Sequence, residues 1–506
     1  MRSFSRSARG ALPLALLARA STLLVAQQPG TAPCPPGRIV ASACPVGALT
    51  LADAVAIAQR QGLSAESSRD ALVASRARNA AFSARLLPQV SLQGTPANYN
   101  RQIVPVLLEN GSTQFAPQSQ NDSNMGLVIS QTLPWLGSTL SVGSYIDRLD
   151  LTGTETSRTY KTTPFLVTLS QDLFKPREVL WDARANELRA NLAERQYLES
   201  REDVAVSTAS AFFDYYAATV TLNNTTINAA VNDTLFTLNK GRFEVGKIGE
   251  NDLLQSELQL LRARASVDGA RLERDRTESA LRRLINVHSS DTLAVVPPQN
   301  VPTVEVDPEM AVTEALKNGS VSEQAALDSV SARRTATEAR LNNGFGATIQ
   351  ASYGMNQTNT LFGLSYASPL PRQSLSLQLS MPVFQWGGGR ADVQAARADE
   401  ARVANNSRMR REQTVEDARY AALQLTQSQR MLLIAAKADT VAQKRFDVAK
   451  ARYVIGKIGV GDLYIAQNEK DQALDAYVQA LRNYWNNYYR LRRVTLYDFD
   501  AKAELR

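Results

Sequence analysis

Two carboxylates stand at matching places in a phrase that this sequence writes twice. Asp252 lies in "RFEVGKIGENDLL" and Asp462 in "RYVIGKIGVGDLY". Each follows a glycine, Gly246 or Gly456, and a lysine, Lys247 or Lys457, at the same spacing. A carboxylate can move protons, hold a metal or set local charge, and the first two tasks need partners that the chain hardly supplies. The only histidine, His288, is distant in sequence from Asp462, and the two cysteines, Cys34 and Cys44, lie near the N-terminus. A thiol pair without further ligands is not a metal site, and in an exported chain it is a candidate disulfide. The Gly-rich run "WGGGR" (Trp386–Arg390) lacks the Lys-Ser/Thr of a phosphate loop, so it reads as a corner between a strand and a helix. No nucleophile elbow is present. Neither catalysis nor a cofactor or metal is expected. What remains for Asp252 and Asp462 is charge and turn geometry.

The elements around them follow from the repeat. Gly456 lies 210 positions after Gly246, and at that offset Arg242 meets Arg452 and Phe243 meets Tyr453. The offset also aligns "LSQDLF" (Leu169–Phe174) with "LSMPVF" (Leu379–Phe384), and "LRRL" (Leu281–Leu284) with "LRRV" (Leu491–Val494). A period this long is a duplicated half, not a short solenoid unit. Upstream, "ARLLPQVSLQG" from Ala84 is echoed by "ARLNNGFGATIQ" from Ala339 at an offset of 255, so the first half holds 45 extra residues. An insertion of that kind belongs in a loop or hairpin.

In each half a helix precedes strands, and two long helices follow. Residues 50–87 read as one helix, opened by Thr50 and Asp53 in the manner of an N-cap and stopped by Pro88. Residues 88–174 alternate as strands with an extra hairpin near 127–146, turning at "PWLG" (Pro134–Gly137). Residues 175–287 form a helical hairpin and 288–308 a linker. The second half repeats the order as a helix over 309–343, strands over 344–386, a helical hairpin over 387–495 and a tail over 496–506. In "SLSLQLSM", Leu375, Leu377, Leu379 and Met381 share one face, and Ser374, Ser376, Gln378 and Ser380 the other. From Arg390 to Val454 there is neither proline nor glycine, a helix of roughly 100 Å at 1.5 Å per residue. Its alanines, Ala395, Ala398, Ala401 and Ala404, then Ala418, Ala421 and Ala422, suit close packing of coiled-coil type. The repeated phrase falls at the bend of each hairpin. There Gly246 and Gly456 end the outgoing helix, and Asp252 and Asp462 are placed to cap the returning one.

The N-terminus places the chain. Arg2, Arg6 and Arg9 precede an apolar stretch that ends near Ala26, as in a secretory signal peptide over residues 1–26. Residues 27–49 then carry the cysteine pair. Beyond them no apolar run reaches the ~18 residues of a spanning helix, so entry into a membrane would require β-strands. The net charge is +7 over 506 residues, with several basic residues in the first twenty. Nucleic acid is therefore not an expected partner. Outside the extra hairpin each half offers two long alternating segments, four in all. Four strands cannot close a membrane barrel, whose smallest forms have about eight, and an open edge in lipid costs several kcal/mol per unsatisfied group. Closure therefore needs several chains, and three would supply about twelve strands. A secreted, soluble coiled-coil scaffold is the alternative, but it has no use for lipid-type alternation.

The tips "RFEVG…D" and "RYVIG…D", together with "LLPQVSLQG" and "LSMPVFQWGGGR" in this order and duplication, resemble the TolC family of outer-membrane efflux proteins. The resemblance covers nearly the whole mature chain, from "LTLADAVAIAQ" to "LRRV". It implies an α+β membrane protein with a duplicated half. Each half would lend two β-strands to a transmembrane β-barrel shared by a homotrimer, and a long coiled-coil hairpin to a periplasmic tunnel. The implied function is a channel in the outer membrane of a Gram-negative bacterium, surrounded by outer-membrane lipid. It would be the exit duct of a tripartite efflux or type I secretion system, working with a periplasmic adaptor protein and an inner-membrane pump. By the same resemblance Asp462 matches a position near the tunnel constriction, where three copies would form a negative ring. A Lys457–Asp252 contact between neighbouring hairpins would take the place of the family's usual latch, which this chain does not reproduce. Val245, Gly246 and Lys247, with Ile455, Gly456 and Lys457, match the adaptor-docking tips. The chain departs from better-known members at Ile458 and Ile465, where those often carry a basic and a second acidic residue.

Overall fold

The computed structural model describes residues 49–107, 111–153, 156–288, 293–298, 302 and 304–505. The expected signal peptide, the N-terminal segment up to residue 48 and the Cys34–Cys44 pair lie outside the described residues.

The chain starts with a short strand, β1 (Leu49–Thr50), and α1 (Leu51–Gln61). Thr50 caps α1, its Oγ1 accepting from the Asp53 amide at 3.2 Å. Leu51, Ala54, Val55 and Ala58 fall on one stripe and are buried, the i, i+3, i+4, i+7 spacing of a core-facing helix. The single helix expected over 50–87 is instead broken. Gly62 leaves the helical region (ψ 140°), and α2 (Leu63–Arg85) begins beyond it. The break is held from outside, because the Gln61 side-chain amide donates to the Ile285 carbonyl at 3.1 Å. A Cβ on Gly62 would come within 2.8 Å of the Leu284 carbonyl oxygen, so the close approach needs glycine.

Five strands follow: β2 (Gln89–Thr95), β3 (Tyr99–Leu107), β4 (Thr113–Leu133), β5 (Ser138–Thr152) and β6 (Ser157–Leu173). Then come α3 (Glu178–Glu244), α4 (Glu250–Ile285) and a short β7 (Val295–Val296) that pairs with β1 in parallel. The second half has α5 (Pro308–Asn318), α6 (Val321–Asn342), β8 (Gly346–Asn359), a 3₁₀ turn at Gly363–Tyr366, β9 (Leu370–Ser380), α7 (Gly388–Val454) and α8 (Val460–Thr495). The helix expected over 309–343 also breaks, at Gly319–Ser320, where the Glu199 carboxylate accepts from the Ser320 amide at 2.8 Å. Both ends of α3 and α4 lie 210 positions before those of α7 and α8. The two hairpins thus match residue for residue.

The sheet departs most from expectation. Its order is β2-β4-β5-β6-β8-β9, antiparallel throughout, with β3 on the same side of β4 as β2. The first half therefore supplies four strand columns rather than two, because the extra hairpin joins the sheet instead of standing apart from it.

The largest apolar cluster lies where α1, α3, α4, α7 and α8 meet. Phe212, Phe213, Tyr215, Leu281, Leu425, Tyr484 and Leu491 are at most 2% exposed there, and side chains of this size contribute about 1.5–3 kcal/mol each. Two segments read as linker and tail also belong to this level. Val304 and Val306 are buried in the cluster, as are Tyr497 of β10 (Tyr497–Asp498) and Phe499 in the turn that leads to β11 (Ala503–Glu504). The alanines of α7 divide into two groups within the single chain. Ala418, Ala421 and Ala422 are buried, but Ala395, Ala398, Ala401 and Ala404 are exposed, and Ala396 is buried in their place.

Candidate functional site

The two hairpin bends are built alike. Each outgoing helix ends with a left-handed glycine, Gly246 at φ 69° and Gly456 at φ 74°. The Lys247 amide donates to the Arg242 carbonyl at 2.8 Å and the Gly246 amide to Phe243 at 2.9 Å. Lys457 and Gly456 repeat both bonds to Arg452 and Tyr453 at 2.9 Å. These paired bonds satisfy the last carbonyls of each helix, and the conformation costs glycine little. Val245 and Ile455 project beside the turns at 67% and 65% exposure, and Lys247 and Lys457 are exposed with them.

Asp252 and Asp462 do not cap the returning helices. Gly249 and Gly459 occupy the cap positions without side-chain bonds, and the aspartates stand in the first turn. There a negative charge still favours the helix through its dipole, by about 0.3–1 kcal/mol. Asp462 is exposed and Asp252 half-buried. Among the described residues of the single chain no ion pair joins Lys457 to Asp252.

The hairpins are joined instead through Arg242, Tyr453 and Asn239. The Arg242 guanidinium donates to the Val454 carbonyl at 3.0 Å and lies 5.1 Å from the centre of the Tyr453 ring. The Tyr453 hydroxyl donates to the Asn239 side chain. Tyr453 is 4% exposed while its repeat partner Phe243 is 40% exposed, so the two tips are inequivalent despite their common phrase. Tyr453 packs with Leu235, Phe446, Val460, Leu463 and Tyr464. Burial pushes the Tyr464 hydroxyl up to about 12.

Two turns further from the tip, a buried cation ties α3 to α8. Lys470, 6% exposed, donates to Asn224 at 2.9 Å and Asn228 at 3.1 Å, and lies 3.0 Å from an Asp471 oxygen. The amides of Asn224 and Asn228 donate to the two oxygens of Asp471 at 2.7 and 2.8 Å. The signal was present in the sequence, since Asn224, Asn228 and Asn232 recur every four residues and so share one helix face. Nothing local showed what they would face.

The sheet has two chemically distinct faces. One row of paired positions across its six columns reads Gln89, Ser130, Ser141, Thr168, Ser352 and Ser374; the next reads Val90, Ile129, Val142, Val167, Tyr353 and Gln373. Neighbouring rows point to opposite sides. The apolar side is bare: Leu92 is 69% exposed, Leu127 50%, and Leu375 77%. Aromatic side chains gather at both ends of the strands. Phe174 stacks near Phe345, and Phe384 against Trp386, at one end; Tyr160, Phe362 and Tyr366 cluster at the other. An apolar band between aromatic girdles is the pattern of a membrane-spanning sheet. Among the described residues no helix is long and apolar enough to cross a membrane, and no group of three or more His, Cys, Asp or Glu side chains gathers to hold a metal.

The profile of the outer membrane efflux protein family matches residues 116–287 and 314–495. No curated protein sequence matches the chain. Solved structures with a similar fold include the CmeC outer membrane channel of Campylobacter jejuni, with 16% identity and a TM-score of 0.64 over 90% of this chain and 86% of that one. The VceC outer membrane protein of Vibrio cholerae has 12% identity and a TM-score of 0.63 over 90% and 97%. The open MtrE outer membrane channel of Neisseria gonorrhoeae has 16% identity and a TM-score of 0.62 over 90% of both chains.

Proposed function

Because the chain belongs to the outer membrane efflux protein family, we propose a specific way in which its two-faced sheet and paired hairpins build one duct. The protein is an outer-membrane channel, the exit duct of a tripartite efflux system, and ducts of this family conduct substrates and work with adaptor and pump partners. In this proposal the duct is a homotrimer. Three copies close their sheets into a single transmembrane barrel, and their six hairpins line a periplasmic tunnel that ends at the tips.

The observation that carries this reading is the sheet's pair of open edges. Every residue of β2 and of β9 is exposed, and both strands border a sheet whose apolar face is bare. In lipid each unpaired N–H or C=O would cost several kcal/mol. With six antiparallel columns, β9 runs opposite to β2, so β9 of one copy can continue into β2 of the next without breaking the antiparallel order.

At the tips, Val245–Lys247 and Ile455–Lys457 offer an apolar, basic rim to the adaptor protein. Asp462, exposed in the first turn of α8, supplies one carboxylate per chain to a ring at the constriction, which favours cations. Asp252 and Lys457, unpaired with each other inside one chain, are left to meet across neighbouring chains. In planar bilayers Asp462→Ala should weaken cation selectivity and block by multivalent cations. Unchanged selectivity in a correctly assembled sample would refute the ring.

A further inference from the structure

The β4–β5 hairpin sits in the middle of the sheet rather than at its margin. β4 is bonded to β2 and β3 on one side and to β5 on the other, and β5 passes the ladder on to β6. In the second half the equivalent strands, β8 and β9, pair directly. The 45 residues that the first half has in excess therefore separate two strands that the second half keeps adjacent. A loop insertion would leave the order of columns unchanged; this one adds two columns.

The hairpin also keeps the chemistry of the wall. Ile129 and Val142 lie in the apolar row, 42% and 39% exposed, and Ser130 and Ser141 lie in the hydroxyl row between Gln89 and Thr168. A flap folded over a mouth or a plug inside a lumen has no reason to continue both rows in register. Trp135, 66% exposed in the β4–β5 turn, adds to the aromatic girdle at the same end as Phe174 and Phe384. An added pair of strands also preserves the up–down parity that lets β9 meet β2 of the next copy.

We propose that the β4–β5 hairpin is a pore-widening wall segment, so that three copies of this six-column sheet close a barrel of eighteen strands rather than twelve. This rests on the trimeric duct proposed above. Barrel diameter grows roughly linearly with strand number. With strands about 4.8 Å apart and tilted by about 40°, eighteen strands give a backbone diameter of about 36 Å, against about 24 Å for twelve. Walls of about 16–18 strands enclose an aqueous channel. Here the mid-sheet row facing it is built of hydroxyls and amides, from Gln89 to Ser374. The outer aperture would then admit bulky hydrated solutes, leaving the helical tips as the selective point.

The test uses the full chain with Cys34 and Cys44 replaced by serine, labelled with nitroxides and reconstituted in lipid nanodiscs. Thr168→Cys reports the distance between equivalent β6 strands by pulsed electron resonance. For backbone positions in a three-fold barrel it should be about 31 Å with eighteen strands and about 21 Å with twelve, and the inward offset of the label shortens both alike. Leu127→Cys on the hairpin and Leu377→Cys on β9 report contact with lipid through oxygen accessibility. The longer distance, with both positions in lipid, is expected. The shorter distance, or a Leu127 position out of lipid while Leu377 remains in it, overturns the widening and leaves the duct intact. A Leu377 position in water, or the absence of a single three-fold distance, overturns the duct and the widening together.

Discussion

Leu375→Arg tests the face of the sheet on which the membrane reading depends. Leu375 is the middle residue of β9, five positions from each end, and is 77% exposed in the single chain. Five residues span about 17 Å along a strand, which a tilt of about 40° reduces to about 13 Å of depth. That is near the centre of an apolar band about 25 Å tall, too deep for an arginine to reach headgroups easily. An arginine at such a depth costs about 2–4 kcal/mol, and a three-fold assembly carries it three times. Ser376→Arg, one position along and on the hydroxyl face, should cost little because its charge enters water. The assay is urea unfolding from lipid vesicles, followed by strand and helix signals and by the fraction of assembled protein. If the sheet were instead a water-exposed surface, replacing a bare leucine by arginine would be harmless or would improve solubility. Equal effects of the two substitutions, or a stabler Leu375→Arg variant, would refute the assignment of the lipid face.

Lys470→Ala leaves Asp471 without its cation and the side-chain oxygens of Asn224 and Asn228 without their donor. A loss of about 3 kcal/mol is expected from breaking so buried a pair, read as a lower denaturant midpoint of the helical signal; a loss below about 0.5 kcal/mol would mean that water already reaches the site. Glu202 is 1% exposed beside Arg492, which also contacts Asp498 at 3.2 Å. Burial pushes its carboxyl above the usual range against the opposing pull of Arg492. A raised carboxyl favours folding while protonated, and this contribution is lost as pH rises through the folded value. The stability of Glu202→Gln relative to the native chain should therefore shift in the variant's favour from pH 4 to pH 8, and a pH-independent difference between their melting curves would contradict that burial dominates.

What the sequence by itself determined is the duplication and most of its punctuation. The 210-residue offset survives in every end of the four long helices, because hairpins packed side by side lose their contacts if one is lengthened alone. Gly246 and Gly456 were legible for a local reason, since a helix that must reverse needs a left-handed residue there. The alternation in "SLSLQLS" was equally local, with a period of two carried by the residues themselves. Helix breaks at Gly62 and Gly319 were not legible, because their causes, Leu284, Ile285 and Glu199, lie far away in sequence. Tertiary structure alone decided that Tyr453 is buried under Arg242 while Phe243 is exposed, although the repeat writes them as equivalents. It also decided where the extra hairpin goes. A strand's pattern states which face is apolar but not which strand lies beside it, and neighbours in a sheet are chosen by hydrogen bonds that residue types barely encode.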